Sequence, residues 1–255
     1  IYNQDNEVVT TLSTINSNRV YAYYDDIPED LCNSVIAIED ERFWDHGGID
    51  MKGILRAFVQ GVKQRDFSQG ASTITQQLIK NQVFNVGLNE DTFMDKLERK
   101  IQEQYLAIEL EKRMEKEDIL EYYLNTIYLG QGVHGVESAA KKYFDKDLTD
   151  LTISECAVLA GITQNPSKYD PTVFPEKNAE RRNSVLNKMK ELGYITKDEY
   201  DTAMADDVYS RIASVHTTEV ENTVCNSYFI DAVINELADQ LMEEKNLTST
   251  QAYNL

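Results

Sequence analysis

Cysteine is scarce and unpaired in this chain of 255 residues, which has only Cys32, Cys156 and Cys225. They lie far apart with no Cys-x-x-Cys step, so neither a zinc frame nor a disulfide scaffold is indicated, and mostly buried thiols are expected. The three histidines are equally dispersed and no His-Glu-x-x-His occurs, which leaves a metalloprotease without support. Long apolar runs are missing as well. No stretch reaches the roughly 18 uncharged apolar residues of a membrane-spanning helix, and no signal-peptide pattern opens the chain. Positive charge is also short: 25 Lys and Arg stand against 44 Asp and Glu, for a net charge of -19. That balance repels nucleic-acid phosphate, so no nucleic-acid partner is expected, and it offers no general attraction to an anionic bilayer. Any phosphate or lipid headgroup must be met by a local basic cluster.

What is present is an ordinary globular composition, 42% hydrophobic and 27% charged. The chain opens at Ile1 rather than at a methionine and stops at Leu255, and is read as a piece of a longer polypeptide. Residues 1–27 mix apolar and polar side chains around Val8, Val9, Leu12, Val20 and Tyr21, which predicts one or two short entry strands. From Pro28 the period turns helical, with Leu31, Val35 and Ile38 at i, i+4 and i+7, and a helix is expected to about Glu39. Similar patterns predict helices over 54–62, 73–80, 92–112 and 119–124, another after Thr152, and one holding Arg181, Arg182, Val185 and Leu186 beyond a loop with Pro166, Pro171 and Pro175. The Asn, Gly and acidic residues between Asn81 and Asp91 read as a mobile connection. A soft boundary falls near Asp206, beyond which 206–255 reads as a linker ending in an amphipathic helix with Phe229, Ile230, Val233 and Leu237.

Three stretches carry chemistry. Glu39-Asp40-Glu41-Arg42-Phe43-Trp44-Asp45-His46-Gly47-Gly48 sets carboxylates at the end of an apolar helix, before aromatics and a glycine turn. At about 100° per residue Glu39 lies on the shoulder of the apolar face, where partial burial suits a general base; the alternative is a plain helix end with solvated acids. Gly70-Ala71-Ser72-Thr73-Ile74-Thr75-Gln76-Gln77-Leu78-Ile79-Lys80-Asn81 reads as a helix start with capping-box spacing. Its free N–H groups, hydroxyls and amides suit an anionic oxygen and Lys80 could add charge, although capping boxes are common without any function. On the helix over 92–112, Leu97, Ile101, Tyr105 and Ile108 form one face and Arg99, Glu103, Leu106 and Leu110 another. Both faces are expected to be partly buried, which makes Glu103 an interior carboxylate with Arg99 one turn away; an exposed Arg99–Glu103 pair is the alternative.

In order, these stretches closely resemble the Glu-Asp-x-x-Phe-x-x-His-x-Gly, Gly-x-Ser-x-x-Thr-Gln-Gln and Arg-Lys-x-x-Glu motifs of the peptidoglycan glycosyltransferase domain of class A penicillin-binding proteins. Ile119-Leu120-Glu121-Tyr122-Tyr123-Leu124-Asn125 and Arg181-Arg182-Asn183-Ser184-Val185-Leu186 resemble the fourth and fifth motifs, so the likeness covers about residues 28–205. It implies a mainly α, lysozyme-like fold on the outer, extracytoplasmic face of the bacterial cytoplasmic membrane, anchored by a span outside this chain. Its substrates would be lipid II and the lipid-linked growing glycan, and other cell-wall synthesis proteins would be its partners. By that likeness Glu39 is the catalytic base that deprotonates the acceptor 4-hydroxyl, and Glu103 is the second carboxylate, near the donor pyrophosphate. Lys80, Arg99 and Lys100 are the phosphate-binding cations, sometimes aided by Mg²⁺ or Mn²⁺. Asp40, Phe43, His46, Ser72, Thr75, Gln76, Gln77 and Asn81 complete the expected substrate-binding set. Asp145 stands where many relatives carry glycine, so the neighbouring turn is expected to differ. Moenomycin-like phosphoglycolipids would inhibit such an enzyme. Two rival readings are a lysozyme-like glycan hydrolase, since paired carboxylates also suit glycoside cleavage, and a catalytically silent module that binds lipid-linked sugars.

Overall fold

The sequence of the helix beginning at Thr152 is apolar on every side, and such a helix is stable only when surrounded. In the computed structural model, which describes residues 21–56, 72–84 and 92–212, it lies at the centre of the core. The principal helices are α1 (Glu29–Glu39), α2 (Ile74–Val83), α3 (Phe93–Glu111), α4 (Lys116–Thr126), α5 (Val136–Phe144), α6 (Ile153–Ile162), α7 (Pro175–Glu191) and α8 (Lys197–Ala205). Short helical turns also occupy 51–56 and 208–212. Among the described residues there is no strand, only a single antiparallel bridge between Tyr128 and His134. The mainly helical class read from the sequence therefore holds. Of the expected entry strands, residues 1–20 lie outside the described region, and Tyr24–Asp26 forms one turn of 3-10 helix instead.

α6 buries Cys156, Ala157, Val158, Leu159 and Ala160 against Leu31, Val35 and Ile36 of α1 and Val185, Leu186 and Met189 of α7. Its start is fixed by a capping box between Thr152 and Glu155. Fully buried Glu155 is paired with Lys146 (2.8 Å) and Arg211 (3.0 Å), and Arg211 also bridges Asp206 (2.6 Å). Val208 and Ile212 are buried in the same core. The packed domain thus extends a few residues past the boundary expected at Asp206, and the amphipathic segment beyond 225 lies outside the described residues.

The second group of helices stands on this one: α2 packs on α3 and α4. Both α2 and α3 begin with capping boxes, Thr73 with Gln76 and Thr92 with Asp95. α4 is fastened to the incoming chain, because the Asn125 side chain accepts from Ala22 N and donates to Ala22 O, both at 2.8 Å. Glu121 accepts from Tyr24 N at 2.6 Å and from the Tyr21 hydroxyl.

Three elements differ from the sequence reading. Pro175 is not in the loop before α7 but opens that helix, where its fixed φ and missing N–H cost nothing. α5 and α8 were not anticipated. α5 ends at Asp145, which adopts φ 53° and ψ 39° so that its N–H reaches Lys141 O while Lys146 N–H reaches Ala140 O. This is a left-handed helix stop that usually falls to glycine, which explains physically why glycine suits the position.

Candidate active site

Glu39 is the last residue of α1, so its side chain leaves the core helix where neighbouring elements converge. It is 10% exposed. One carboxylate oxygen accepts from Gln77 Nε2 of α2 at 2.8 Å, and the other from Thr163 Oγ1, just past α6, at 2.6 Å. Arg181 of α7 approaches to 3.8 Å, with its aliphatic part lying over Gly161. The Gln77 amide oxygen in turn accepts from the buried Tyr123 hydroxyl of α4 at 3.0 Å. Four elements therefore meet at one carboxylate.

The next residues turn inward. Asp40 accepts from Ile74 N, at the first turn of α2, at 3.0 Å and contacts His46 Nε2 at 2.9 Å. An acceptor at a helix N-terminus satisfies an otherwise unpaired N–H and meets the positive end of the dipole. On its other side His46 faces Lys116 (3.4 Å) and Glu111 (3.9 Å), while Glu111 bonds Thr75 and Lys116. Phe43 is fully buried with the Lys116 ammonium 4.3 Å from its ring centroid. Gly48, at φ 91°, lies so close to α3 that a Cβ would sit 2.6 Å from the Ala107 carbonyl, and its own carbonyl accepts from Thr73 Oγ1 at 2.8 Å. Asp40, Phe43, His46, Thr75 and Gln76 were expected to touch substrate. Asp40, Phe43, Thr75 and Gln76 are buried and His46 is half-buried, and their contacts within the protein hold the loop and the start of α2 in place, while Gln76 Nε2 is buried with no hydrogen-bond partner among the described residues.

The second carboxylate has a different environment. Glu103 is 0% exposed, and its two oxygens are held by Arg99 and by Lys100, the latter at 2.8 Å. Lys100 also donates to Ser72 Oγ at 2.8 Å, so this cluster reaches the segment preceding α2. The interior carboxylate read from the sequence is present. The partner face is not as expected: Leu97, Ile101 and Tyr105 are exposed, and with Met94 they form an apolar stripe along α3. Lys80, one turn beyond Gln77 on α2, has no ion pair among the described residues. Asn81 is exposed and takes no part in either cluster. The connection expected between Asn81 and Asp91 is mostly outside the described residues, since α2 continues to Val83 and 85–91 are not described.

Among the described residues no three His, Cys, Asp or Glu side chains gather as metal ligands. Both Glu103 oxygens are already taken by cations, so the residues here do not fit a divalent ion held by the protein.

Sequence reasoning missed Thr163 as a site residue and gave Tyr123 and Arg181 only motif positions. Thr163 is separated from Glu39 by 124 positions and follows a buried helix, so no local pattern marks it. Arg181 had a signal, an arginine pair on a helix otherwise apolar at Val185 and Leu186.

A transglycosylase family model matches residues 5–190. The chain is similar to penicillin-binding protein 1A of Streptococcus oralis, at 40% identity over 98% of this chain and 38% of that protein. It is similar also to penicillin-binding protein 1A of Clostridium novyi, at 46% identity over 81% of this chain and 25% of that one. It thus spans well under half the length of these relatives. A crystal structure of penicillin-binding protein 1A from Haemophilus influenzae aligns with 74% of this chain and 18% of that one, at 26% identity and a TM-score of 0.45.

Proposed function

The chain belongs to the transglycosylase family, and on that premise we propose that it is a peptidoglycan glycosyltransferase that polymerises lipid II into β-1,4-linked glycan strands. Glu39 takes the proton of the acceptor 4-hydroxyl as that oxygen forms a bond to the anomeric carbon of the lipid-linked chain. The bond from that carbon to the pyrophosphate oxygen breaks, and undecaprenyl pyrophosphate departs with the electron pair. A single displacement of this kind inverts the α linkage to β.

The observation that carries this reading is the unequal partnering of the two carboxylates. Glu39 meets two neutral donors, with its nearest cation at 3.8 Å, so it is free to accept a proton. Glu103 is buried and held by two cations, which suits it to fixing Arg99 and Lys100 beside a departing anion and unsuits it to proton transfer. This division also disfavours the hydrolase, whose second carboxylate must act directly at the sugar. Lys80 joins the cationic side. A Mg²⁺ or Mn²⁺ ion would neutralise leaving-group charge there, and would have to arrive on substrate oxygens. The exposed Met94, Leu97, Ile101 and Tyr105 stripe supports a position against the outer face of the cytoplasmic membrane, although no described helix is long and apolar enough to cross one.

Incubation with labelled lipid II tests the proposal. A ladder of glycan polymer is expected. Cleavage of preformed glycan without any polymer would establish the hydrolase instead, and lipid II binding without turnover the silent module.

A further inference from the structure

Gln77 is an amide between two groups of different demand. A carboxylate has no proton to give, so Glu39 must be met by the amide NH₂; were the amide reversed, its oxygen would face the negative oxygens of Glu39. Nothing in an isolated glutamine enforces the correct orientation, since its two ends are nearly the same size. Tyr123 supplies the missing constraint. Its hydroxyl lies 3.0 Å from Gln77 Oε1 while Gln77 Nε2 lies 2.8 Å from Glu39 Oε2. The ring is 1% exposed, so water does not compete for the hydroxyl. Burial, and then the negative charges of Glu39 and Asp40, push the phenol well above its ordinary pKa, which keeps the proton on oxygen for donation. The helix that carries it is held from the opposite side, by the Asn125 pairing with Ala22 and the Glu121 bond to Tyr24 N.

We infer that Tyr123 is a positioning residue for catalysis: its hydroxyl fixes the Gln77 amide so that the NH₂ group, and not the carbonyl, holds the Glu39 carboxylate toward the acceptor. Gln77 is then a link between two protein groups rather than a substrate contact. The inference rests on the reading of Glu39 as the base.

The test is a kinetic cycle on the wild-type chain, Tyr123→Phe, Gln77→Ala and the double variant, with lipid II as substrate. Tyr123→Phe removes one oxygen and leaves the ring in its packing. It is expected to lower kcat about tenfold, the upper end for one hydrogen bond between neutral groups, with KM changed by less than about twofold. In the Gln77→Ala background the same change is expected to have no further effect, because the group through which it acts is gone. Unchanged kcat in Tyr123→Phe, or an equal loss in both backgrounds, would overturn the inference, since a role in packing alone would add to the loss from Gln77→Ala. Glu39→Gln measured alongside separates the two readings. If Glu39→Gln is inactive and Tyr123→Phe is normal, only the positioning role fails; if Glu39→Gln is fully active, the base assignment falls and this inference with it.

Discussion

Glu39→Gln conserves shape and both hydrogen-bonding neighbours but has no basic oxygen to receive a proton. Polymerisation is expected to fall by about 10²-fold or more, with an unchanged thermal midpoint, as followed by the lipid II ladder and a melting curve. Lys80→Ala is the cleaner probe of the anion side. Lys80 has no ion pair among the described residues, so its removal should weaken binding of a moenomycin-like phosphoglycolipid, read by titration, and leave stability unaltered. Arg99→Ala cannot separate the two effects. It would leave a fully buried Glu103 facing Lys100 without its arginine partner, and such a loss commonly destabilises the fold itself. At this scale the sequence was informative about which residues matter and less so about what each touches. Glu39, Glu103, Lys80 and Arg99 stood out by type and spacing, and Lys100 by the family resemblance. The inward roles of Asp40, His46 and Thr75 depend on Glu111 and Lys116, which reach them only through tertiary packing.

Among the elements, α5 offers the most direct test of a local rule. Asp145 pays a steric cost in the left-handed region and sets a negative charge at the negative end of the helix dipole. Asp145→Gly is expected to raise stability by roughly 0.5–1 kcal/mol, measured by urea denaturation. Leu159→Ala on α6 acts in the opposite direction; with that side chain enclosed by α1 and α7, a loss of about 2–5 kcal/mol is expected in the same assay. The two helices absent from the sequence reading differ in how visible they were. α5 buries Val136, Ala139, Ala140, Tyr143 and Phe144, a clear helical period that could have been read. α8 buries only Ala203, and its one local signal is the Thr196 and Glu199 capping box.

At the scale of the whole molecule, the buried Glu155 and the nearby Asp206 are held by ion pairs to Lys146 and Arg211. Burial raises the pKa of Glu155, but the Lys146, Thr152 N–H and Arg211 hydrogen bonds outweigh it and leave the group below its ordinary value. Asp206 is likewise lowered, chiefly by its hydrogen bond to Arg211. A carboxylate lowered on folding stabilises the protein above its unfolded pKa, about 4.3 for Glu and 3.9 for Asp, and that contribution is lost as pH falls through the folded value. The thermal midpoint is therefore expected to drop below about pH 4, and the drop to be smaller in Arg211→Gln. Because Arg211 is partly exposed, the difference should be modest and should shrink further in salt. The helical class and a helix after Thr152 were legible in the sequence, but the central place of that helix in the core was not. The union of α1, α2, α7 and the end of α6 at one carboxylate was not legible either, because it depends on contacts between residues up to 124 positions apart.

Gly48 touches the α3 backbone at Ala107, one turn from Glu103, and the same loop descends from Glu39 and Asp40. Main chain rests on main chain there, with no side chain between them to yield as a spring. The spacing between the proton-accepting site and the cationic site is thus gauged by covalent backbone dimensions. A synthetic ligand that joins a sugar mimic to an anionic head would meet a fixed span, so a stiff spacer of matching length should outperform a flexible one by the conformational entropy it has already surrendered.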